Sequence, residues 1–327
     1  MNLHLTLACW DYDRTLALAD GRVRPEGIEL TYLNLPVEET FFRMARHGEF
    51  DVAEMSLSTY VLTMARERPF VALPVFPSRA FRHNGVYVNA RSGIEKPADL
   101  AGRVVGVPEY QVTAAVWIRG ILEEHYGVPA ASVRYRTGGL RQPGRSEKVQ
   151  VQPDGVEIVP IGADQTLESL LVDGAIDALY TPRTPEPYLA GHGNVRRLWD
   201  DARQEEERYF ERTGIFPIMH VIVIRSETYE KNRWIANSLV KAFAQAKAMV
   251  TDRLEETAAS PSMLPWAYAE ARHARRVLGD DFWSYGLAPN YHVLQTFLQY
   301  SHDQGLAERL YQPEELFVPG TDEAFVI

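Results

Sequence analysis

The chain has 327 residues, of which 46% are hydrophobic and 24% charged, with a formal net charge of -10 and a sequence pI near 5.5. This length and apolar content can build a large core and favour two lobes over one. The acidic balance argues against nucleic acid as a partner, because contacts with phosphate backbones need a basic surface.

The first predicted element is a strand at the N-terminus. Residues 1-MNLHLTLACW-10 alternate apolar and polar side chains and lead directly into Asp11 and Asp13. They lack the basic start and long apolar stretch of a signal peptide, and no apolar run reaches the roughly 18 residues that suggest a membrane span. Cys9 is the only cysteine, which rules out a disulfide within the chain and a zinc site of the CxxC type. We therefore expect a cytoplasmic protein with no membrane partner.

A unit of strand, helix, glycine and strand occurs twice. The segment 40-TFFRMARHGEFDVAEMS-56 matches 166-TLESLLVDGAIDALYTP-182 without a gap, and 25-PEGIELTYL-33 resembles 153-PDGVEIVPI-161. Gly48 and Gly174 suit the left-handed residue that ends a helix, and the apolar run after each is short enough for a buried strand. Such units form parallel sheets, so two copies suggest two α/β lobes. The open alternative is that any unit of this kind resembles any other.

Other segments favour the same fold class. Residues 103-RVVGVP-108 predict a strand, and 113–127 a helix with Thr113 as its N-cap and Gly127 as its end. The stretch 138–155 is rich in glycine and proline, which predicts a loop or hairpin. Further on, 218–224 predict a strand, and helices are expected over 234–250 and 290–305.

We therefore predict an α/β fold of two lobes joined by extended crossings near 83–90 and 218–226. Lobe one would comprise 1–84 and 225–327, and the inserted lobe two would comprise 85–224. Ligands of open α/β sheets bind outside the carboxyl ends of strands, so the site is expected in a cleft between the lobes.

Side chains at or after the ends of predicted strands are the candidates for this cleft. In chain order they are Trp10, Asp11, Tyr12, Asp13, Arg14, Glu54, Ser56, Ser58, Ser78, Arg79, Arg82, His83, Glu109, Tyr110, Gln111, Thr113, Tyr180, Thr181, Arg183 and His220.

The positive groups in this set indicate an anionic ligand. Arg79, Arg82 and His83 lie within five residues of one another, which is unexpected in an acidic chain. Arginine offers a flat, two-pronged donor that matches a carboxylate, and the start of the helix at Thr113 would add free backbone N–H groups. With Arg183, these groups would suit two carboxylates. The alternative is that the arginines pair with surface acids.

Four titratable groups are candidates for moving protons or binding hydroxyl groups. His83 and His220, at the two predicted crossings, can act as acid or base near neutral pH, although either could be structural. Glu109 could donate a proton or cap the following helix. Glu54 ends an apolar strand, so its carboxyl needs a partner or a raised pKa.

Several catalytic motifs are absent from the sequence. It has no GxSxG elbow, no HExxH pair, no GxxxxGK[ST] loop and no GxGxxG after a strand. Cys9 lies within a strand pattern with no recognisable base motif nearby. Histidines and carboxylates that are distant in sequence can still meet in space, so the sequence leaves a divalent metal open.

With these residues assembled, the chain resembles the 4,5-dihydroxyphthalate decarboxylase family, which shares the two-lobed fold of type 2 periplasmic solute-binding proteins. The resemblance covers nearly the whole chain, and 77-PSRAFRH-83 and 107-VPEYQVTAAVWIRG-120 are its specific motifs. The stretch 97-PADLAGRVVGVPE-109 is shared more widely and indicates only the fold. Residues 181–187 and Asn84 depart from the family pattern, which leaves the exact aromatic acid open.

The resemblance implies loss of CO2 from a dihydroxylated benzene dicarboxylate, with 4,5-dihydroxyphthalate giving protocatechuate and with no organic cofactor. Expected roles are carboxylate binding for Arg79, Arg82 and Arg183, proton transfer for His83 and His220, and orientation of the hydroxyl groups by Glu109 or Glu54. Tyr110 would contact the ring, with Ser56, Ser78, Gln111, Thr113 and Tyr180 completing the substrate site.

Two other readings stay open at the level of sequence. One is a non-catalytic solute-binding protein for an aromatic carboxylate, and the other is a related enzyme that acts on another aromatic acid. In each case the partner is a small aromatic acid. Aromatic residues in the C-terminal helices leave room for a homo-oligomer.

Overall fold

The computed structural model describes residues 2–65, 68–145, 147 and 149–321. The chain divides into two compact units. Unit 1 comprises Met1–Arg79, Thr213–Gln295 and Tyr311–Ile327, and unit 2 comprises Ala80–Arg212 and Thr296–Leu310. Within the described ranges, no helix is long and apolar enough to cross a membrane.

The described residues form strands and helices that alternate through much of the chain. The strands are β1 Leu3–Cys9, β2 Ile28–Asn34, β3 Val52–Ser56, β4 Phe70–Arg79, β5 Val86–Asn89, β6 Val104–Val107, β7 Arg134–Thr137, β8 Ile158–Pro160, β9 Ala178–Tyr180, β10 Val195–Arg197 and β11 Ile218–Arg225. The α-helices are α1 Asp13–Ala19, α2 Val37–His47, α3 Leu57–Met64, α4 Thr113–Tyr126, α5 Leu167–Asp173, α6 Glu186–Leu189, α7 Ala202–Thr213, α8 Ser226–Lys231, α9 Ile235–Thr251, α10 Ala267–Leu278 and α11 Tyr291–Asp303.

Unit 1 is built on a sheet with the strand order β2-β1-β3-β11-β4. β1 runs parallel to β2 and β3, whereas β11 runs antiparallel to both β3 and β4. The first residues of β11 therefore lie at the edge of the sheet where β1, β3 and β4 end. One face of the sheet packs on α9, with Leu7, Val75 and Ile222 against Leu239 and Phe243 in one buried cluster.

Unit 2 is built on a sheet with the strand order β10-β5-β9-β6-β7-β8. The strands from β9 to β8 are parallel, and β5 runs antiparallel to β9 and β10. Leu179 of β9 packs with Leu167 and Leu171 of α5. The long helix α4 is buried over its first ten residues, which explains why its sequence is apolar on more than one side.

Both copies of the predicted repeat are confirmed as local structure. α2 ends at Gly48 and α5 at Gly174, with φ of 56° and 79°, which is the left-handed conformation that glycine adopts without strain. The two strands of a copy are not neighbours in either sheet. β1 lies between β2 and β3, and β6 and β7 lie between β8 and β9.

The structure divides the chain at different residues from those predicted. The predicted change of lobe at 224/225 would place β11 in lobe two, but β11 is hydrogen-bonded between β3 and β4 of unit 1. The segment Thr296–Leu310 belongs to unit 2 because α11 packs on α4 there, with Phe297 and Tyr300 5.5 and 5.6 Å from the Trp117 ring.

One helix start also differs. Thr113 is the first residue of α4, and Val112 occupies the N-cap position without a side-chain cap. The prediction of Thr113 as the N-cap was therefore wrong by one residue.

Candidate active site

The carboxyl edge of the unit 1 sheet brings together a carboxylate and a histidine. Glu54 lies near the end of β3, and His220 lies near the start of β11, one diagonal step away across the strand pair. Nδ1 of His220 is 2.6 Å from Oε1 of Glu54. Two of the residues predicted for the site thus meet directly, although 166 positions separate them in the chain.

The contact with Glu54 determines which ring nitrogen of His220 carries the proton. A carboxylate accepts a hydrogen bond, so Nδ1 carries a proton and the neutral ring has its lone pair on Nε2. In the described part of the chain no hydrogen bond engages Nε2, and the side chain is 17% exposed. The centre of the Phe41 ring lies 4.8 Å from that of the imidazole, with the two rings nearly perpendicular, and this contact limits the rotation of His220. The arrangement presents one ring nitrogen, in a fixed direction, to a bound molecule.

Glu54 is fully buried and remains ionised. Burial alone would raise its pKa, but the nearby His220, the hydroxyl of Tyr12 at 2.6 Å and the backbone N–H of Trp10 at 3.1 Å bring the pKa below its usual value. The sequence required either a partner or a raised pKa at this position, and the structure supplies the partner. A fixed negative charge beside Nδ1 stabilises the positive charge that the ring carries during proton transfer.

Tyr12 and Cys9 complete the surroundings of Glu54. Burial and the adjacent carboxylate raise the pKa of Tyr12, so its hydroxyl stays protonated and donates to Glu54. Burial and Glu54 also raise the pKa of Cys9, whose Sγ lies 3.6 Å from Oε2. A thiol that stays protonated is a poor nucleophile, so Cys9 offers a weak hydrogen bond and no obvious covalent chemistry.

Two predicted serines flank His220, one on each neighbouring strand. Ser56 of β3 and Ser78 of β4 both pair with His220 in the sheet register. Ser56 is also the N-cap of α3, where its hydroxyl accepts from the N–H of Thr59. Ser78 is partly exposed. Both hydroxyls lie at the same edge as the histidine.

Arg79 occupies this edge too, but its donors are directed into unit 1. Nη1 donates to the carbonyl of Phe216 at 3.1 Å, and Nη2 donates to the carbonyl of Ser284 at 2.7 Å and to the side chain of Asn290. Burial lowers the pKa of Arg79 to about 10. The guanidinium ties three segments of the unit together and does not present its fork to solvent.

The next two predicted cations, Arg82 and His83, are buried in unit 2. Burial lowers the pKa of Arg82 to about 10, while the carboxyl of Glu206 partly offsets this effect. Burial lowers the pKa of His83 to about 4, and its ring lies within 5.0 to 6.1 Å of the rings of Trp199, Tyr209 and Tyr126. Neither ring nitrogen of His83 has a hydrogen-bond partner among the described residues. This neutral imidazole in an aromatic environment is poorly placed to exchange protons.

Glu109 is held in a buried polar cluster of unit 2. Its Oε1 accepts from Nη2 of Arg145 at 2.5 Å, and its Oε2 accepts from the side chain of Gln111 at 2.5 Å. Arg145 comes from the polar loop after β7, where the sequence carried no signal for an ion pair. With both oxygens engaged by donors, the carboxylate is better suited to hold Arg145 than to give a proton.

The remaining predicted residues of unit 2 divide into buried and exposed positions. Tyr110 and Tyr180 are buried near Arg119, whose Cζ lies 3.7 Å from the centre of the Tyr110 ring. Thr113 is buried in the first turn of α4. Arg183 is exposed on the loop after β9, where its backbone N–H donates to the hydroxyl of Thr181.

Two pockets, one in each unit, have linings that include neither Glu54 nor His220. In unit 1 a pocket of about 570 Å³ is lined by α1, α9 and α10 and their connecting segments. In unit 2 a pocket of about 510 Å³ is lined by β7, β8 and the loop that carries Arg145. Among the described residues, no three side chains of His, Cys, Asp or Glu are grouped closely enough to hold a metal ion.

The comparison with curated proteins gives two close relatives, whereas no protein-family model matches the chain. A 4,5-dihydroxyphthalate decarboxylase of Comamonas testosteroni is 44% identical over 327 residues, which cover 99% of each chain. A 4,5-dihydroxyphthalate decarboxylase of Pseudomonas putida is 42% identical over 201 residues, which cover 61% of this chain and 78% of the relative.

Solved structures that are similar to this chain have low sequence identity and therefore show the fold alone. The periplasmic aliphatic sulphonate binding protein SsuA from Escherichia coli aligns with a TM-score of 0.53 at 14% identity, over 97% of this chain and 98% of SsuA. A putative periplasmic sulfonate-binding protein SsuA from Methylobacillus flagellatus KT has a TM-score of 0.55 at 13% identity, over 98% and 92%. The predicted fold class, an α/β fold of the type 2 periplasmic-binding-protein kind, is confirmed.

Proposed function

The chain belongs to the 4,5-dihydroxyphthalate decarboxylase family, and on that basis we propose that it is a carboxy-lyase that converts 4,5-dihydroxyphthalate to 3,4-dihydroxybenzoate and CO2. The observation that carries the proposal, beside the full-length identity to a relative of that name, is the Glu54–His220 pair. It places an oriented acid–base group at the edge of the sheet where ligands of α/β folds bind.

The chemistry requires one proton to be delivered to carbon. Direct loss of CO2 from the ring would leave an aryl anion of very high energy. When the hydroxyl para to the departing carboxylate loses its proton, electron density moves onto the carbon that bears this carboxylate, and that carbon accepts a proton from an acid. The C–C bond then breaks, its electron pair restores the aromatic ring, and the hydroxyl oxygen regains a proton. The net change is the uptake of one proton and the release of one CO2.

His220 is the proton donor to the ring carbon in this scheme. Glu54 holds Nδ1–H, so the proton on Nε2 is the one that can be given to a bound molecule. The buried carboxylate stabilises the imidazolium before transfer and keeps the ring aligned afterwards. Tyr12 reinforces this arrangement through its hydrogen bond to Glu54. Ser56 and Ser78, beside His220 in the sheet, are placed to bind the hydroxyl groups of the substrate.

We also propose that the reaction needs no organic cofactor. Once the ring carbon is protonated, the conjugated ketone of the ring itself accepts the electron pair that CO2 leaves behind. The predicted roles of the unit 2 residues, from Arg82 and His83 to Arg183, stay predictions.

The test is to incubate the purified protein with 4,5-dihydroxyphthalate and to measure CO2 and 3,4-dihydroxybenzoate. We expect both in equal amounts, and in D2O a deuterium at the carbon that lost the carboxylate. His220→Gln is expected to lower kcat by about 10²–10⁴-fold, the usual contribution of a positioned acid or base. His302→Gln, a change at an exposed histidine of α11, is the matched control. Affinity for the substrate without CO2 release would instead identify a solute-binding protein.

A further inference from the structure

Arg14 lies at the same edge of the unit 1 sheet as the Glu54–His220 pair, and the scheme above gives it no role. It is the second residue of α1, directly after the loop that carries Tyr12. Its Nε donates to the carbonyl of Pro77 at 2.7 Å, near the end of β4, and its Nη1 donates to the carboxylate of Asp13 at 3.1 Å. The side chains of Arg14 and His220 are 16% and 17% exposed, so both reach solvent.

The guanidinium of Arg14 packs against two aromatic rings. Its Cζ lies 4.2 Å from the centre of the Tyr12 ring and 4.1 Å from that of Trp283. Both rings are anchored, since Tyr12 donates to Glu54 at 2.6 Å and the indole N–H of Trp283 donates to the carbonyl of Phe76 at 2.9 Å. Contacts with two anchored rings restrict the movement of the guanidinium fork.

Part of this fixed fork is unused. Within the described ranges, Nη2 of Arg14 has no hydrogen-bond partner, and Nη1 uses one of its two N–H groups. Arg79, at the same edge, has both terminal nitrogens engaged by carbonyl groups and Asn290. A preorganised cation with free N–H groups beside an acid–base pair is suited to a carboxylate.

We propose that Arg14 binds the carboxylate that remains on the aromatic ring during the reaction. The inference rests on the proposed function, and it identifies Arg14 of unit 1 as the group that selects a dicarboxylate substrate. The Tyr12 ring stacks on Arg14, and its hydroxyl lies 2.6 Å from Oε1 of Glu54 and 3.5 Å from Nδ1 of His220, so the cation and the acid–base pair contact the same aromatic side chain. A substrate ring can therefore present one substituent to Arg14 and the reacting carbon to His220.

The choice between the two carboxylates follows from the charge that each carries in the transition state. The departing carboxylate loses its charge as it becomes CO2, so a strong ion pair with it would stabilise the substrate more than the transition state. The remaining carboxylate keeps its charge throughout. An arginine on that group gains binding energy without slowing the reaction.

Calorimetric titration of the full chain with 3,4-dihydroxybenzoate and with catechol tests the proposal without turnover. The first ligand has the remaining carboxylate, and the second has none. Arg14→Met is expected to lower the affinity for 3,4-dihydroxybenzoate by about 10–100-fold and to leave the affinity for catechol unchanged. This range corresponds to the loss of a hydrogen bond to a charged group. Arg14→Lys, which keeps the charge but not the fork, should fall between. For the substrate, KM should rise while kcat changes little.

Two further variants separate binding from architecture. Asp13→Asn keeps an acceptor for Nη1 but removes a competing negative charge, so it is expected to tighten the binding of 3,4-dihydroxybenzoate. Arg22→Met, at an exposed arginine paired with Asp20 after α1, should change neither affinity. If Arg14→Met and Arg14→Lys lower the affinities for both ligands equally, Arg14 has a purely structural role. If the affinities are unchanged, Arg14 does not belong to the site. Absence of CO2 release by the wild type would overturn the proposed function, while the titrations would still decide the question of Arg14.

Discussion

Glu54 has no exposed surface, yet its pKa lies below its usual value, and the donors around it explain why. The hydroxyl of Tyr12, the N–H of Trp10 and the imidazole of His220 all point at one carboxylate. Each of these groups favours the ionised form, and together they outweigh the cost of burial. The same contact holds His220 in one tautomer, so a single buried acid determines both the tautomer and the direction of the histidine.

Replacement of this carboxylate by an amide tests its role. Glu54→Gln keeps the shape of the side chain but removes the charge that stabilises the imidazolium, and its amide can orient with either the oxygen or the nitrogen toward Nδ1. We expect kcat for 4,5-dihydroxyphthalate to fall by about 10²–10⁴-fold, with a much smaller change in KM.

The matched control is Glu49→Gln, the same change at an exposed glutamate that pairs with Arg43. It should leave kcat unaltered. A Glu54→Gln enzyme with wild-type kcat and an unchanged pH profile would show that the carboxylate does not act on His220 during turnover.

At the scale of elements, the direction of β11 decides where His220 lies. β11 is inserted antiparallel between β3 and β4, so its second and third residues are at the edge where the parallel strands end. A parallel insertion would have placed His220 at the opposite edge, away from Glu54. The position of the histidine therefore depends on strand pairing and not on its neighbours in the sequence.

The packing of α4 on α11 in unit 2 makes a prediction about Gly120. A Cβ at this position would lie 2.0 Å from Cδ2 and 2.3 Å from Cγ of the Tyr300 ring, a ring that Trp117 also contacts. Alanine would gain up to about 1 kcal/mol in helix propensity but would force the two helices apart. We expect Gly120→Ala to lower the free energy of unfolding by about 1–3 kcal/mol, measured by urea denaturation.

The double variant Gly120→Ala/Tyr300→Leu checks the cause, because the smaller side chain makes room for the added methyl group. Gly120→Ala should therefore lower the free energy of unfolding less in the Tyr300→Leu background than in the wild type. If Gly120→Ala is as stable as the wild type, the close approach of the two helices is not present in solution.

Across the whole molecule, two buried groups of unit 2 give stability opposite dependences on pH. His83 has its pKa lowered by burial from 6.5 to about 4, so the unfolded chain binds more protons between these values, and stability is lost as pH falls through this range. Glu206 has its pKa raised by burial from 4.5 to about 7, so the folded chain binds more protons, and stability is lost as pH rises through that range. The contributions of His83 and Glu206 to the change of stability with pH therefore nearly cancel between pH 4.5 and 6.5.

When one of the two groups is replaced, the pH dependence of stability caused by the other should become measurable. In Glu206→Gln, stability is expected to rise by up to about 3 kcal/mol as pH increases through the range of His83. In His83→Phe, stability is expected to fall by a similar amount as pH increases through the range of Glu206. Urea denaturation at a series of pH values measures both. Parallel curves for the two variants would contradict the opposing signs, and loss of turnover in a folded His83→Phe protein would return His83 to the catalytic scheme.

The sequence alone determined the α/β class, the two copies of the repeated unit, the helix ends at Gly48, Gly127 and Gly174, and a resemblance whose family is now shown by 44% identity. These features are local, since period, glycine conformation and motif can be read within a short window. The tertiary structure decided the rest. It paired Glu54 with His220, packed Arg14 against Tyr12 and Trp283, and turned Arg79, Arg82 and His83 into the interior of their own units. A side chain's partners depend on strand order and helix packing, which join residues that are distant in the chain, and a run of cations carries no information about the direction in which each one points.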